Sequence, residues 1–127
     1  MTTLSAPILE YLSGQPLGRI ATVGKDGRPH VVPVSFRYNP DTGTVDVGGH
    51  HVATTKKYRD VRATGRAALV VDDIVSFRPW TVRMVEIRGR AEAVPTGGNW
   101  LGPGFGDAFI RIHPDKVNSF GVPPAES

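Results

Sequence analysis

Thr54-Thr55-Lys56-Lys57-Tyr58-Arg59-Asp60-Val61-Arg62 places two hydroxyls, two lysines and two arginines on one short segment with helical spacing. The start of a helix carries unbonded backbone N–H groups and the positive end of the helix dipole, so it attracts an anion. A lysine adds a flexible point charge without demanding strict geometry. The chemistry of this arrangement is the holding of an anion, with phosphate well suited, and the pattern does not say which anion. Arg59, further along, is placed to reach a second phosphate oxygen or a partner carboxylate. Between Lys56 and Arg66 the only acid is Asp60. The competing reading is a charged helix face that merely meets water.

Other chemistry is thinly represented. The chain has no cysteine, which removes disulfides, thiolate metal sites and a cysteine nucleophile. It has no Walker-type loop, no Gly-x-Ser-x-Gly elbow, no dinucleotide fingerprint and no His-Glu-x-x-His, so hydrolase readings start weak. His50-His51 is the only adjacent pair of possible metal ligands, and no nearby carboxylate completes a site, so no metal is expected there. His30, Tyr38 and Tyr58 are candidate proton donors among which the sequence does not choose, and the catalytic residue stays open.

A chain of 127 residues that is 39% hydrophobic and 21% charged suits one globular core. It leaves little room for both a cofactor pocket and a substrate pocket, which a shared subunit interface would supply. The net charge of +3 is concentrated at the lysine-rich helix and lacks an accompanying aromatic stripe, which argues against nucleic acid. The first residues lack the charged and apolar regions of a signal peptide, and no apolar run approaches membrane-spanning length. A soluble, cytoplasmic protein without a membrane partner is the expectation.

The elements that must position these residues follow from periodicity. Leu4, Ile8, Leu9 and Leu12 recur at helical spacing, with Ser5 available as a cap, Pro7 in the first turn and Gly14 past the end. Alternation from Leu17 to Val23, a Gly24-Lys25-Asp26-Gly27 turn and a second alternating run from Pro29 to Tyr38 predict a hairpin. Asn39-Pro40-Asp41-Thr42-Gly43 turns the chain into a third strand, Thr44 to Gly48. A helix over 54–64 follows, capped by Thr54 or Thr55 and ended by Gly65, with Tyr58 and Val61 inward. The apolar run Ala67 to Val71 predicts a central strand buried on both faces and ending at Asp72-Asp73. A loop over 76–80 and a long strand from Val82 to Val94, bent at Gly89, come next. After a flexible connection at 97–104, Ala108 to Ile112 is the last expected strand, and His113 to Val117 starts a short turn or helix. The expected fold is mainly β, a six-stranded antiparallel barrel with accessory helices, in one domain over 1–120 with a flexible tail over 121–127.

The order and spacing of Arg19 to Val23, Asp26 to Val34, Lys56 to Val61, Ala67 to Asp72, Glu86 to Glu92 and Ile110 to Pro114 resemble the pyridoxamine-phosphate-oxidase-like, FMN-binding split-barrel superfamily. The short length and the final Ile110-Arg111-Ile112-His113-Pro114 are most similar to its actinobacterial group that uses the deazaflavin coenzyme F-420. That resemblance implies a homodimer with shared cofactor sites at its interface and hydride transfer from the reduced deazaflavin to a small electron-poor substrate. It implies that Val32, Pro33, Val34 and Ser35 wall the flavin-like ring, that Lys57, beside Lys56 and Thr55, holds the phosphate, and that Arg78 and Trp80 reach the partner's pocket. FMN in the same site is one alternative. A non-catalytic carrier of a planar ligand such as haem, with His50, His51 or His113 as iron ligand, is another.

Overall fold

A computed structural model describes residues 3–123. In chain order these form α1 (Ala6–Ser13), β1 (Gly18–Val23), β2 (Pro29–Asn39), β3 (Thr44–Gly48), α2 (Lys56–Thr64), β4 (Arg66–Phe77), β5 (Trp80–Val94), β6 (Phe109–Ile112) and β7 (Lys116–Phe120). Every pairing is antiparallel. The strands run in the order β4-β1-β2-β3-β6-β5, and β4 also pairs with β5, so the six expected strands close into a ring. The seventh, β7, lies along the outer part of β5.

Inward-facing Ile20, Val45, Val47, Leu69, Val71, Val85, Ile87, Ile110 and Ile112 fill the ring, and α2 contributes Tyr58 and Val61 to the same core. Each such aliphatic side chain contributes about 1.5–3 kcal/mol by leaving water, which is what fixes the helix against the barrel. Thr55 caps α2, its hydroxyl accepting from the Tyr58 amide, and Gly65 ends the helix in the left-handed region at φ 70°. Ser5 sits at the start of α1 as expected but makes no side-chain cap.

Four expectations are corrected. The strand that begins at Ala67 does not stop at Asp72-Asp73, and no loop spans 76–80: β4 continues to Phe77 and turns tightly into β5 at Trp80. Both acids are tolerated inside the strand because arginines on neighbouring strands meet them, Arg19 pairing with Asp72 and Arg83 with Asp73. Nor is β4 buried on both faces in the single chain. Ala67, Leu69 and Val71 point inward, whereas Ala68 and Val70 are half-exposed on the outer face. The stretch after Pro114 is the strand β7 and not a turn or helix. Only Val117 of it supports the core, opposite Ile87, so as an edge strand it shows no apolar alternation. The connection at 97–104 holds a tight turn at Gly98–Leu101, anchored by buried Leu101 and by the Trp100 indole, which donates to Asp46 at 3.1 Å. Of the expected tail, residues 124–127 lie outside the described residues.

Candidate functional site

The two halves of β2 have different neighbours. Residues 29–34 pair with β1, but β3 pairs only with Ser35 to Asn39, which leaves the backbone of Val31 to Val34 as an open sheet edge. Pro33, which has no N–H to offer a ladder, suits such an edge. Val32 is half-buried, Pro33 and Ser35 are exposed on the outer face, and the Val34 side chain is buried in the core. Val34 therefore offers a ligand its backbone alone. Backbone donors and acceptors along an open edge are what a flat heterocycle with polar rim atoms requires.

The chain reaches α2 from β3 through His50 and His51, both exposed. At the start of α2 the two lysines separate in role. Lys56 Nζ donates to Asp60 at 2.8 and 3.0 Å, and the Thr22 hydroxyl of β1 donates to the same carboxylate at 2.9 Å. Burial alone would push Asp60 up. The hydrogen bonds from Lys56 and Thr22, with the charges of Lys56 and His30, hold it below the usual carboxylate range instead. The acid that the sequence placed among the cations is thus a buried tie between helix and barrel. Lys57 has no carboxylate partner among the described residues, and burial of its ammonium lowers its pKa from the ordinary lysine value.

Thr55 is occupied as well, its hydroxyl donating to the Val52 carbonyl at 2.6 Å. Arg59 points to the outer side of α2, where it donates to the Thr54 carbonyl at 3.2 Å. Arg78 and Trp80 stand at the tip of the β4–β5 hairpin, which extends beyond the start of β4 by roughly 30 Å of strand. A single chain does not bring them to α2. Trp80 is 64% exposed and stacks edge-on against Phe77, itself 70% exposed, with ring centroids 5.8 Å apart.

Of the candidate proton donors, Tyr58 is buried and lies under the Arg62 guanidinium, and Tyr38 packs against the core. His30 lies beside the open edge, opposite Thr22. Among the described residues no cluster of three His, Asp or Glu side chains is arranged to hold a metal. His113 bonds to Glu92 at 3.1 Å. Sequence reasoning missed the open edge itself, since it depends on where β3 stops pairing. Its only trace was the proline in an otherwise apolar strand.

The family model described as pyridoxamine 5'-phosphate oxidase matches residues 4–102. The chain belongs to this family. A 5a,11a-dehydrotetracycline/5a,11a-dehydrooxytetracycline reductase of Streptomyces rimosus is 43% identical over 114 residues, covering 90% of this chain and 80% of the relative. With that kinship the chain is an enzyme of the oxidoreductase class. Two solved structures share its split barrel. An FAD-binding protein from Mesorhizobium loti superimposes with a TM-score of 0.65 at 26% identity, covering 93% of this chain and 95% of the other. A haem storage protein from Vibrio cholerae superimposes at 0.69 with 15% identity, covering 95% and 97%, and shows the fold alone. No helix of the described residues is long and apolar enough to cross a membrane.

Proposed function

We propose that this protein is a coenzyme F-420-dependent reductase, acting on a small organic substrate whose polarised double bond accepts a hydride. The observation that carries the reading is Lys57, a partly buried ammonium at the capped start of α2 with no carboxylate partner among the described residues. An anion there regains for the lysine the charge stabilisation that burial removed. The cofactor phosphate is assigned to Lys57 and the first amides of α2, with Lys56 bracing the helix. The ring is assigned to the β2 edge, against the Val32 to Ser35 backbone. The reductase kinship supports the reaction class, since the relative's name makes it a reductase of a dehydro compound.

When bound, the reduced cofactor supplies the hydride. The protein orients its partner, excludes water and leaves a proton source within reach, and His30 is assigned that last role by its place beside the edge. The FAD-binding relative favours one second reading, in which the same site holds a flavin.

The dimer belongs to the proposal. Exposed Ile74, Val75, Phe77 and Trp80 make the β4–β5 hairpin an apolar arm with little cover from the described residues. A second copy receiving this arm would bring Arg78 and Trp80 toward a site that one chain leaves open on one side. Titrating the purified protein with F-420 and separately with FMN, with and without Lys57→Ala, tests the assignment. Micromolar F-420 binding weakened at least tenfold by the substitution, with little FMN binding, is expected. Tight FMN binding alone turns the reading to the flavin, and no binding of either ends it.

A further inference from the structure

A groove of about 710 Å³ opens on the outer face of the barrel, at the end opposite the β4–β5 tip. Its floor follows from strand register. Ala21 of β1 stands opposite Ala68 of β4, Ala68 opposite Arg88 of β5, and Arg88 opposite Lys116 of β7, one row across four strands. In the next row Arg66 faces Arg90. Gly89 lies between the two rows with its backbone lining the groove, so the floor is Ala21, Ala68 and that backbone, bordered by the cations and by Asp115. Arg88 is paired with Glu86 at 3.4 Å and Arg90 with Asp115 at 3.2 Å. Arg66 and Lys116 have no carboxylate partner among the described residues, which leaves one uncompensated positive charge beside Ala68 on β4 and a second on β7, with Arg88 and Gly89 of β5 between them. Two strand spacings separate them, about 10 Å across the sheet.

This place is not the one assigned to the cofactor. The groove meets α2 at its end, at Thr64 and Gly65, whereas Lys57 stands at its start, about 12 Å of helix away. The groove also lies on the faces of β1, β4 and β5 and touches β2 only at Pro29, outside the Val31 to Val34 edge.

We propose that the groove is a second small-molecule site, for a ligand with a flat apolar body of two to four rings and one or two anionic groups such as carboxylate, sulfonate or enolate. The rings cover Ala21, Ala68 and Gly89, where displaced water is the gain, and the anionic ends meet Arg66 and Lys116.

The probe is 8-anilinonaphthalene-1-sulfonate, with uncharged N-phenyl-1-naphthylamine as its neutral counterpart, added to the full chain and followed by fluorescence. The sulfonate should bind more tightly than the neutral probe. It should lose at least tenfold in affinity in Ala68→Trp and in the double variant Arg66→Glu/Lys116→Glu, both of which keep F-420 binding within twofold, and should keep its affinity in Trp80→Ala. The double variant alters only surface charge and keeps the test open where the tryptophan disturbs folding. Sulfonate binding indifferent to the double variant overturns the proposal, as does binding lost with Trp80→Ala. A fall in cofactor affinity would merge the groove with the cofactor site, and a change from dimer to monomer mass in Ala68→Trp would make it a subunit contact. Either result also overturns the proposal.

Discussion

Lys56 Nζ lies 2.8 Å from Asp60 Oδ1, so the first of two adjacent lysines neutralises a buried acid of its own helix and the second is left without a carboxylate. Neighbours in a helix point about 100° apart, which lets a Lys-Lys pair serve a structural and a binding role at once. Lys57→Met should weaken F-420 binding tenfold or more and leave thermal stability nearly unchanged. Lys56→Met should show the opposite balance: a cofactor affinity within about threefold and a loss of roughly 1–2 kcal/mol from leaving Asp60 short of a partner. Titration and denaturant unfolding of the two variants side by side decide the assignment. Equal effects on affinity would end the division of roles.

The lowered pKa of Lys57 gives cofactor binding a pH dependence with a definite sign. The protonated lysine holds the anion, and burial makes the free protein lose that proton at a lower pH than an ordinary lysine does. Affinity should therefore be flat while the lysine is protonated and fall as pH rises through the depressed value, below the usual lysine range, approaching tenfold per unit. Dissociation constants measured from pH 7 to 10 would show the bend, and Lys57→Met should remove it. A bend that survives the substitution belongs to another group.

The ring of six strands was legible because each carries its own period and is punctuated by turn residues, as at Gly24 to Gly27 and Asn39 to Gly43. What failed to show were features set by partners distant in sequence. Asp72 and Asp73 read as a strand end because Arg19 and Arg83, which neutralise them, lie 53 and 10 residues away. The strand β7 was hidden because an edge strand needs only one inward residue, Val117. At the candidate site the lysines and the cap were plain from local sequence. The commitment of Lys56 to Asp60, and the opening of the β2 edge where β3 stops pairing, depend on the folded arrangement.

Gly89 was expected at a bend, and the structure gives a stronger reason for it. The link from His113 to Asp115 crosses β5 there, with the His113 amide donating to the Arg90 carbonyl and the Asp115 amide to the Arg88 carbonyl. A Cβ at Gly89 would sit 1.8 Å from the His113 carbonyl oxygen and 3.0 Å from the Asp115 nitrogen, both backbone atoms. Gly89→Ala should cost about 2 kcal/mol or more, since the crossing segment must lift. Hydrogen exchange should speed up first in β7. Gly14→Ala, whose nearest neighbour would be 3.8 Å away, is the control expected to be nearly neutral.

Asp46 is fully buried and gathers the far side of the barrel. Its carboxylate accepts from the Thr44 hydroxyl at 2.9 Å, from Arg111 at 3.2 and 3.1 Å, from the Trp100 indole at 3.1 Å and from Asn39 at 3.3 Å. Arg111 is its direct cross-strand partner, so the pair ties β3 to β6, and Trp100 brings the 97–104 segment to the same point. An asparagine at 46 would keep the shape, remove the charge that Arg111 faces and turn one acceptor into a donor aimed at other donors. Breaking a buried pair in this way costs about 3–5 kcal/mol, enough to lower the melting temperature by on the order of 10 °C in a domain of this size. In a Trp80→Phe background, where Trp100 is the only indole, Asp46→Asn should also shift tryptophan emission to the red as that ring loses its anchor. Replacing both members with apolar residues, Asp46→Leu/Arg111→Met, should recover part of the stability because no buried charge is then left alone. A single variant as stable as the parent, with unmoved emission, would show that the hub orders the side chains without stabilising the fold.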